Sequence, residues 1–211
     1  MGDAILRRWE ALEDGHAWPL RASLPQMSDE DAELVARAQA GDRAAFEQLV
    51  RRHAAGLHAV VQRLLDDRHD AEEVTQEAFL RAWRSIATFK GDARFFTWLY
   101  RIGVNEASRR TSRRSRGVSA SLEEEDAIEP ADNRAGPEAL AEFNELRGAL
   151  ERAVRGLDLR YRTPLILRDV EGLSTADAAA IMGLHEAAFK TRLHRARLAV
   201  RNAVEDYLDH E

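Results

Sequence analysis

Three observations predict an all-α fold of two small helical domains joined by an acidic flexible linker, the second containing a helix-turn-helix. Along most of the 211-residue chain, apolar residues recur at spacings of three and four rather than two. That periodicity lapses between Ser112 and Pro137, where Arg, Ser, Glu, Asp, Gly and Pro dominate and too little apolar surface remains to fold alone. Near the C-terminus, Gly183 separates two helical stripes, and the second stripe is basic.

Residues 1–27, with Trp9 and Trp18, form an N-terminal extension expected to be disordered or regulatory, and Met27 would make a natural initiator. The first domain spans residues 28–112. Ser28 followed by Asp31 resembles a capping box with Asp in place of Glu, ahead of a short helix carrying Leu34, Val35 and Ala38 and ending near Gly41. Asp42 is a natural N-cap for the stripe Phe46, Leu49, Val50, His53, Leu57, Val60, Val61 and Leu64. Val74, Ala78, Phe79, Ala82, Trp83 and Ile86 trace the next helix. Phe95, Leu99, Ile102 and Glu106 trace another that loses its apolar character by its end. The linker occupies residues 113–137. Its 25 residues reach about 80 to 90 Å when extended and average about 25 to 30 Å as a coil, so the flanking domains can touch DNA about two helical turns apart.

The second domain, 138–211, resumes with Leu140, Phe143, Leu146, Leu150 and Val154, followed by a helix around Leu165 to Val170 that Gly172 ends. Pro164 belongs either in the first turn of that helix or at a kink. Ser174 caps a helix through Ala178, Ala179 and Ile181, Gly183 breaks it, and the last helix runs from about Glu186 to Tyr207.

The net charge of -6 misleads about partners, because residues 118–142 alone carry eight acids against Arg134, a net -7. Elsewhere positive charge clusters: 101–117 holds six Arg against Glu106, and 187–204 holds five basic residues with no acid. Two such patches are the electrostatic footprint of a phosphate-backbone binder. The chain has no Cys, which removes disulfides and thiolate chemistry and suits a reducing cytoplasm. It has no apolar run of about 18 residues and no signal-peptide pattern, so a cytoplasmic protein without direct membrane insertion is expected. Enzyme readings lack support: His53 and His58 are not spaced as metalloprotease ligands, and no phosphate-cradling Gly loop or nucleophile beside a base is present. No catalysis, cofactor or metal is expected.

Seven of the fourteen aromatics, Phe79, Trp83, Phe89, Phe95, Phe96, Trp98 and Tyr100, crowd into 22 residues just before the first Arg patch. Interleaved aromatics and Arg suit single-stranded DNA, whose unstacked bases lie on ring faces. Most of these rings read equally well as core. Phe89, between Thr88 and Arg94 beside Lys90, Gly91 and Asp92, has less reason to be buried.

The strings DAEEVTQEAFLRAW from Asp70 and FKGDARFFTWLYRIGVNEASRR from Phe89 resemble domain two of extracytoplasmic-function sigma factors. The string LRYRTPLILRDVEGLSTADAAAIMGLHEAAFKTRLHRARLAVR from Leu159 resembles their domain four, and the likeness covers about Ser28 to Tyr207 in the right order. The resemblance implies that Glu73, Gln76, Glu77 and Leu80 dock on core RNA polymerase. It implies a minus-ten surface of Thr88, Phe89, Lys90, Arg94, Tyr100, Arg101, Asn105 and Arg109. The loop 88–94 would capture a flipped base, in a pocket that Asn105 lines. It implies a minus-thirty-five surface of Lys190, Thr191, Arg192, His194, Arg195 and Arg197. Positions 191, 194, 195 and 198 share one face at helical spacing, whereas Arg192 and Arg201 lie further round and suit phosphates. Implied partners are core polymerase through its beta and beta-prime subunits, promoter DNA, and an anti-sigma factor, free or membrane-anchored, in a stress response. Where the family usually enters the last helix with Gly-Thr-Val, this chain has Ala187, Ala188 and Phe189, which removes a hydroxyl that can cap or reach phosphate. The rival reading is a helix-turn-helix repressor or activator that binds palindromic duplex as a dimer.

Overall fold

The structure, a computed structural model, describes residues 31–117 and 147–209. The N-terminal extension, Ser28, most of the linker, and Leu140, Phe143 and Leu146 lie outside the described residues. Among the described residues every regular element is helical. They are α1 (Asp31–Gln39), α2 (Arg43–Leu64), α3 (Arg68–Ser85), a 3-10 turn (Ile86–Thr88), α4 (Phe95–Gly117), α5 (147–155), α6 (Leu159–Leu165), a π turn (Ile166–Val170), α7 (Thr175–Met182) and α8 (Glu186–Asp209).

Helix starts follow the sequence signals. Asp42 accepts from the Ala45 N–H at 3.1 Å and Asp67 from the Asp70 N–H at 3.0 Å, each satisfying a donor that the first turn leaves unpaired. The α2 stripe from Phe46 to Leu64 is buried, and it packs on the buried faces of α3 and α4, with α1 laid across α2. Gly103 lets α4 come close to α2, since a Cβ there would stand 2.7 Å from Leu57 Cδ1. Helix α4 continues to Gly117, past the expected end at Ser112, although its distal residues are polar. The cause is ionic: Arg110 and Arg114 fold back on Asp70, which is buried on α3.

In the second domain, Asp158 caps α6 by accepting from the Arg160 N–H at 2.9 Å. Pro164 sits in the second turn, not the first. It has no N–H to return to the Arg160 carbonyl, and the helix widens into the π turn directly after it. Ser174 accepts from the Asp177 N–H at 3.0 Å to start α7, and Gly183, at φ 64, ends it in the left-handed conformation. Helix α8 turns Phe189, Leu193, Ala196, Val200 and Val204 into the core.

The two domains pack on each other. Helix α4 lies against α7, and α2 lies against the π turn and α6, so the apolar core is one cluster from Leu34 to Val204.

Candidate polymerase-docking and nucleic-acid interfaces

The buried stripe of α8 fixes what its other side presents. Lys190, Thr191, His194, Arg195 and Leu198 are exposed together, as helical spacing requires, and Arg192 lies half-buried at their edge. The Thr191 hydroxyl donates to the Ala187 carbonyl at 2.9 Å, one turn back along the helix. Arg197 departs from expectation. It turns inward, with Nε and Nη2 donating to the two Asp169 carboxylate oxygens at 2.9 and 2.7 Å. One helical turn beyond Leu193 and beside buried Ala196, Arg197 flanks the core and braces α8 on the π turn rather than facing outward.

The loop after the 3-10 turn is held from α1. Gln39 Nε2 donates to the carbonyls of Ile86, at 3.1 Å, and Phe89, at 2.7 Å. Gly91 takes φ 76, the conformation that reverses the chain there. Phe89 is half-buried rather than free, because the rings of Trp98 at 5.0 Å and Phe95 at 6.1 Å give it an aromatic platform. The loop, Lys90 included, forms an open recess with Asp31, Val35 and Gln39 of α1, and Thr88 is exposed beside it. Two of its lining residues, Asp31 and Phe95, are held by His53, which meets Asp31 at 2.7 Å and packs on the Phe95 ring.

Asn105 does not line that recess. It opens into a second cleft with Arg81, Arg84, Ser85, Ile102 and Arg109. Glu106 lies between two of these cations, 3.1 Å from Arg81 and 2.6 Å from Arg109, so the cleft keeps a positive excess. Arg81 and Arg84 went unnoticed in the sequence because two cations on a helix read as a solvated face; their value appears only when α4 brings Asn105 and Arg109 opposite.

The remaining minus-ten candidates meet the second domain. Tyr100 is 1% exposed, packed edge-on against Phe96, and is therefore no surface residue. Burial, reinforced by the Glu171 carboxylate, pushes its phenol far above the usual tyrosine range. Arg94 pairs with Asp177 of α7, and the Arg101 guanidinium lies against the Gly183 turn. The six-Arg patch is also partly consumed within the first domain, since Arg110 and Arg114 are held by Asp70 and Arg110 also meets Glu73 at 2.9 Å.

The expected docking face stands clear. On α3, Gln76 and Leu80 are exposed, Leu80 to 50%, beside Glu73 and a partly exposed Glu77 that meets Arg81 at 2.9 Å. An isolated large apolar side chain ringed by carboxylates and an amide suits a protein partner. Among the described residues no group of three His, Cys, Asp or Glu is placed to hold a metal, and no helix is long and apolar enough to cross a membrane.

A helix-turn-helix with an outward basic face, carried beside an aromatic and arginine-lined helical bundle, defines the class as a helical DNA-binding protein. Sigma-70 region 2 matches residues 49–117, and Sigma-70, region 4 matches residues 147–200. The ECF RNA polymerase sigma-E factor of Escherichia coli K12 is 37% identical over 83% of this chain and 94% of its own length. The RNA polymerase sigma-H factor of Pseudomonas aeruginosa is 33% identical over 85% of this chain and 96% of its own. Among solved structures, CnrH in complex with the cytosolic domain of CnrY has a TM-score of 0.59 at 28% identity, covering 87% of this chain and 99% of that one. The sigma factor RpoE of Bartonella quintana, in complex with the anti-sigma factor NepR, also has a TM-score of 0.59, at 26% identity over 76% of this chain and 96% of that one. The chain belongs to the extracytoplasmic-function sigma factors, the promoter-recognising transcription-initiation subunits of RNA polymerase. The repressor reading is set aside, because region 2 and region 4 occur together and in order.

Proposed function

We propose that this sigma factor acts in the cytoplasm as a non-catalytic adaptor with three working surfaces. Glu73, Gln76, Glu77 and Leu80 dock on core polymerase. Lys190, Thr191, His194 and Arg195 read the minus-thirty-five element as duplex, with Arg192 on a phosphate. The minus-ten element is opened and held by two recesses: the Gln39-braced loop 88–94 with Phe89, and the cleft where Asn105 is flanked by Arg81, Arg84 and Arg109. The arginines suit the phosphates of an unpaired strand and Asn105 suits a base edge. An anti-sigma factor is a fitting partner, given the one bound to the Bartonella relative.

The observation that carries this reading is the exposed basic face of α8 directly after the Gly183 turn, on a chain whose α3 keeps Leu80 uncovered. The test is transcription in vitro with core polymerase and genomic templates, followed by sequencing of the transcript ends. Transcripts should start downstream of one shared pair of elements. Strong binding to a palindromic duplex without polymerase, and no directed transcripts with it, would overturn the proposal.

A further inference from the structure

Two large apolar side chains stand exposed among the described residues, Leu80 at 50% and Leu198 at 49%. Their surroundings differ in sign. Leu80 lies one turn past Gln76 and Glu77 on α3, the setting of a protein partner. Leu198 lies one turn past His194 and Arg195 and one turn before Arg201, in a stretch from Ala187 to Val204 that contains no acid. The nearest acids along α8 stand beyond its ends and face cations, Glu186 meeting Lys190 at 3.9 Å and Glu205 meeting Arg201 at 2.9 Å. An apolar side chain set in a cationic surface is matched by a polyanion that itself offers an apolar group. Duplex DNA does so in its major groove, where the C5-methyl of thymine is exposed.

The position of Leu198 agrees with that occupant. Phe189, Leu193, Ala196 and Val200 turn into the core, so Thr191, His194, Arg195 and Leu198 share the opposite side of α8. Their spacing of i, i+3, i+4 and i+7 is that with which helices present base-reading side chains in the major groove. The first three carry polar groups and the fourth carries none. We infer that Leu198 is a further specificity-determining residue, which selects a thymine in the minus-thirty-five element through its C5-methyl. The inference rests on the proposed reading of that element by α8. Three helical residues advance about 4.5 Å, against about 3.4 Å for a base-pair step, so this thymine lies one or two base pairs from the base that Arg195 reads. Uracil at that place is rejected, although its hydrogen-bonding edge is the same, because the methyl alone is recognised.

The test uses the full chain assembled with core polymerase and promoter fragments taken from its own transcript starts. Each thymine of the minus-thirty-five element is replaced in turn by deoxyuridine, which removes only the methyl, and holoenzyme binding is measured by competition. One replacement, a base pair or two from the position whose preference is lost in Arg195→Ala, should weaken binding about fourfold, the worth of one buried methyl. Leu198→Ala, at an exposed position where Ala favours the helix, should no longer distinguish thymine from deoxyuridine there, while retaining the preference set by Arg195. Sensitivity to deoxyuridine that survives Leu198→Ala overturns the inference, as does an element with no methyl-sensitive thymine within that reach. Equal weakening on every fragment overturns it by making Leu198 a contact to the duplex backbone. Weaker assembly with core polymerase before DNA is added overturns it by making Leu198 a protein-docking residue. Arg195→Ala separates these outcomes from a failed reading of the site: base preference that depends on Arg195 but not on Leu198 confines the fault to Leu198, whereas indifference to both overturns the minus-thirty-five surface and this inference with it.

Discussion

Arg195 and Arg197 sit two apart on α8, and their fates differ. Arg195 is exposed with Thr191 and His194, where a guanidinium can pair bidentately with a guanine, whereas Arg197 is spent on Asp169. Arg195→Ala is expected to lower the preference for the correct minus-thirty-five duplex over a scrambled one by roughly 10- to 150-fold, the scale of a contact worth about 1 to 3 kcal/mol. Arg197→Ala should leave that ratio alone and instead lower stability by about 1 to 3 kcal/mol, because Asp169 is left buried without its partner. Salt-titrated binding on both duplexes, set beside urea unfolding, separates them; equal loss of specificity would mean that α8 faces DNA by another side. The sequence carried the orientation of α8 in its apolar stripe at 189, 193, 196 and 200. It could not carry the Arg197 pairing, since Asp169 lies 28 residues away and no local period links them.

At the scale of elements, α4 was legible as an amphipathic helix up to about Ile102, while its extension to Gly117 depends on Asp70 reaching Arg110 and Arg114 from α3. The loop 88–94 was legible from Gly91 and its turn-forming neighbours, but the Gln39 clasp and the Trp98 platform under Phe89 are tertiary. The same limit hid the division of the minus-ten candidates. Phe89 and Asn105 were expected around one pocket, and they open into two. That division has a measurable consequence. Groups that share no partner contribute additively to within about 0.3 to 0.5 kcal/mol, whereas two walls of one pocket couple more strongly. Phe89→Ala and Asn105→Ala should each reduce promoter melting while sparing affinity for core polymerase, and the double variant should lose the product of the two factors. Permanganate reactivity of promoter thymines reports the melting. A double variant no worse than the poorer single one would mean that both residues hold the same base.

For the whole molecule, the helical class, the helix-turn-helix and the order of the parts were readable from periodicity and glycine placement. The packing of one domain on the other was not, because ion pairs such as Arg63 with Glu171 join residues 108 apart and leave no pattern in either segment. That buried pair also gives the assembly a dependence on pH. Burial pushes the Glu171 carboxyl above its usual value of 4.5, and the Arg63 guanidinium draws it only partly back; Tyr100, the other titratable group facing it, stays protonated. The packed state therefore holds the Glu171 proton to higher pH than an open or unfolded chain does. Its contribution to stability is complete below the ordinary carboxylate value and is lost as pH rises through the raised one. Asp42 and Asp67 act in the opposite direction: hydrogen bonds lower both, Arg37 leading at Asp42 and the Asp70 N–H at Asp67, so their stabilisation is lost only in stronger acid. Glu171→Gln, a neutral side chain of the same shape, removes the first dependence and leaves the second. From the usual Glu value upward through the raised one, stability of the parent relative to this variant should decline with rising pH, by thermal unfolding of each. A parent-to-variant difference that stays constant across that interval would show that Glu171 titrates as a solvated carboxyl, and that the seam between the domains admits water where the packing excludes it.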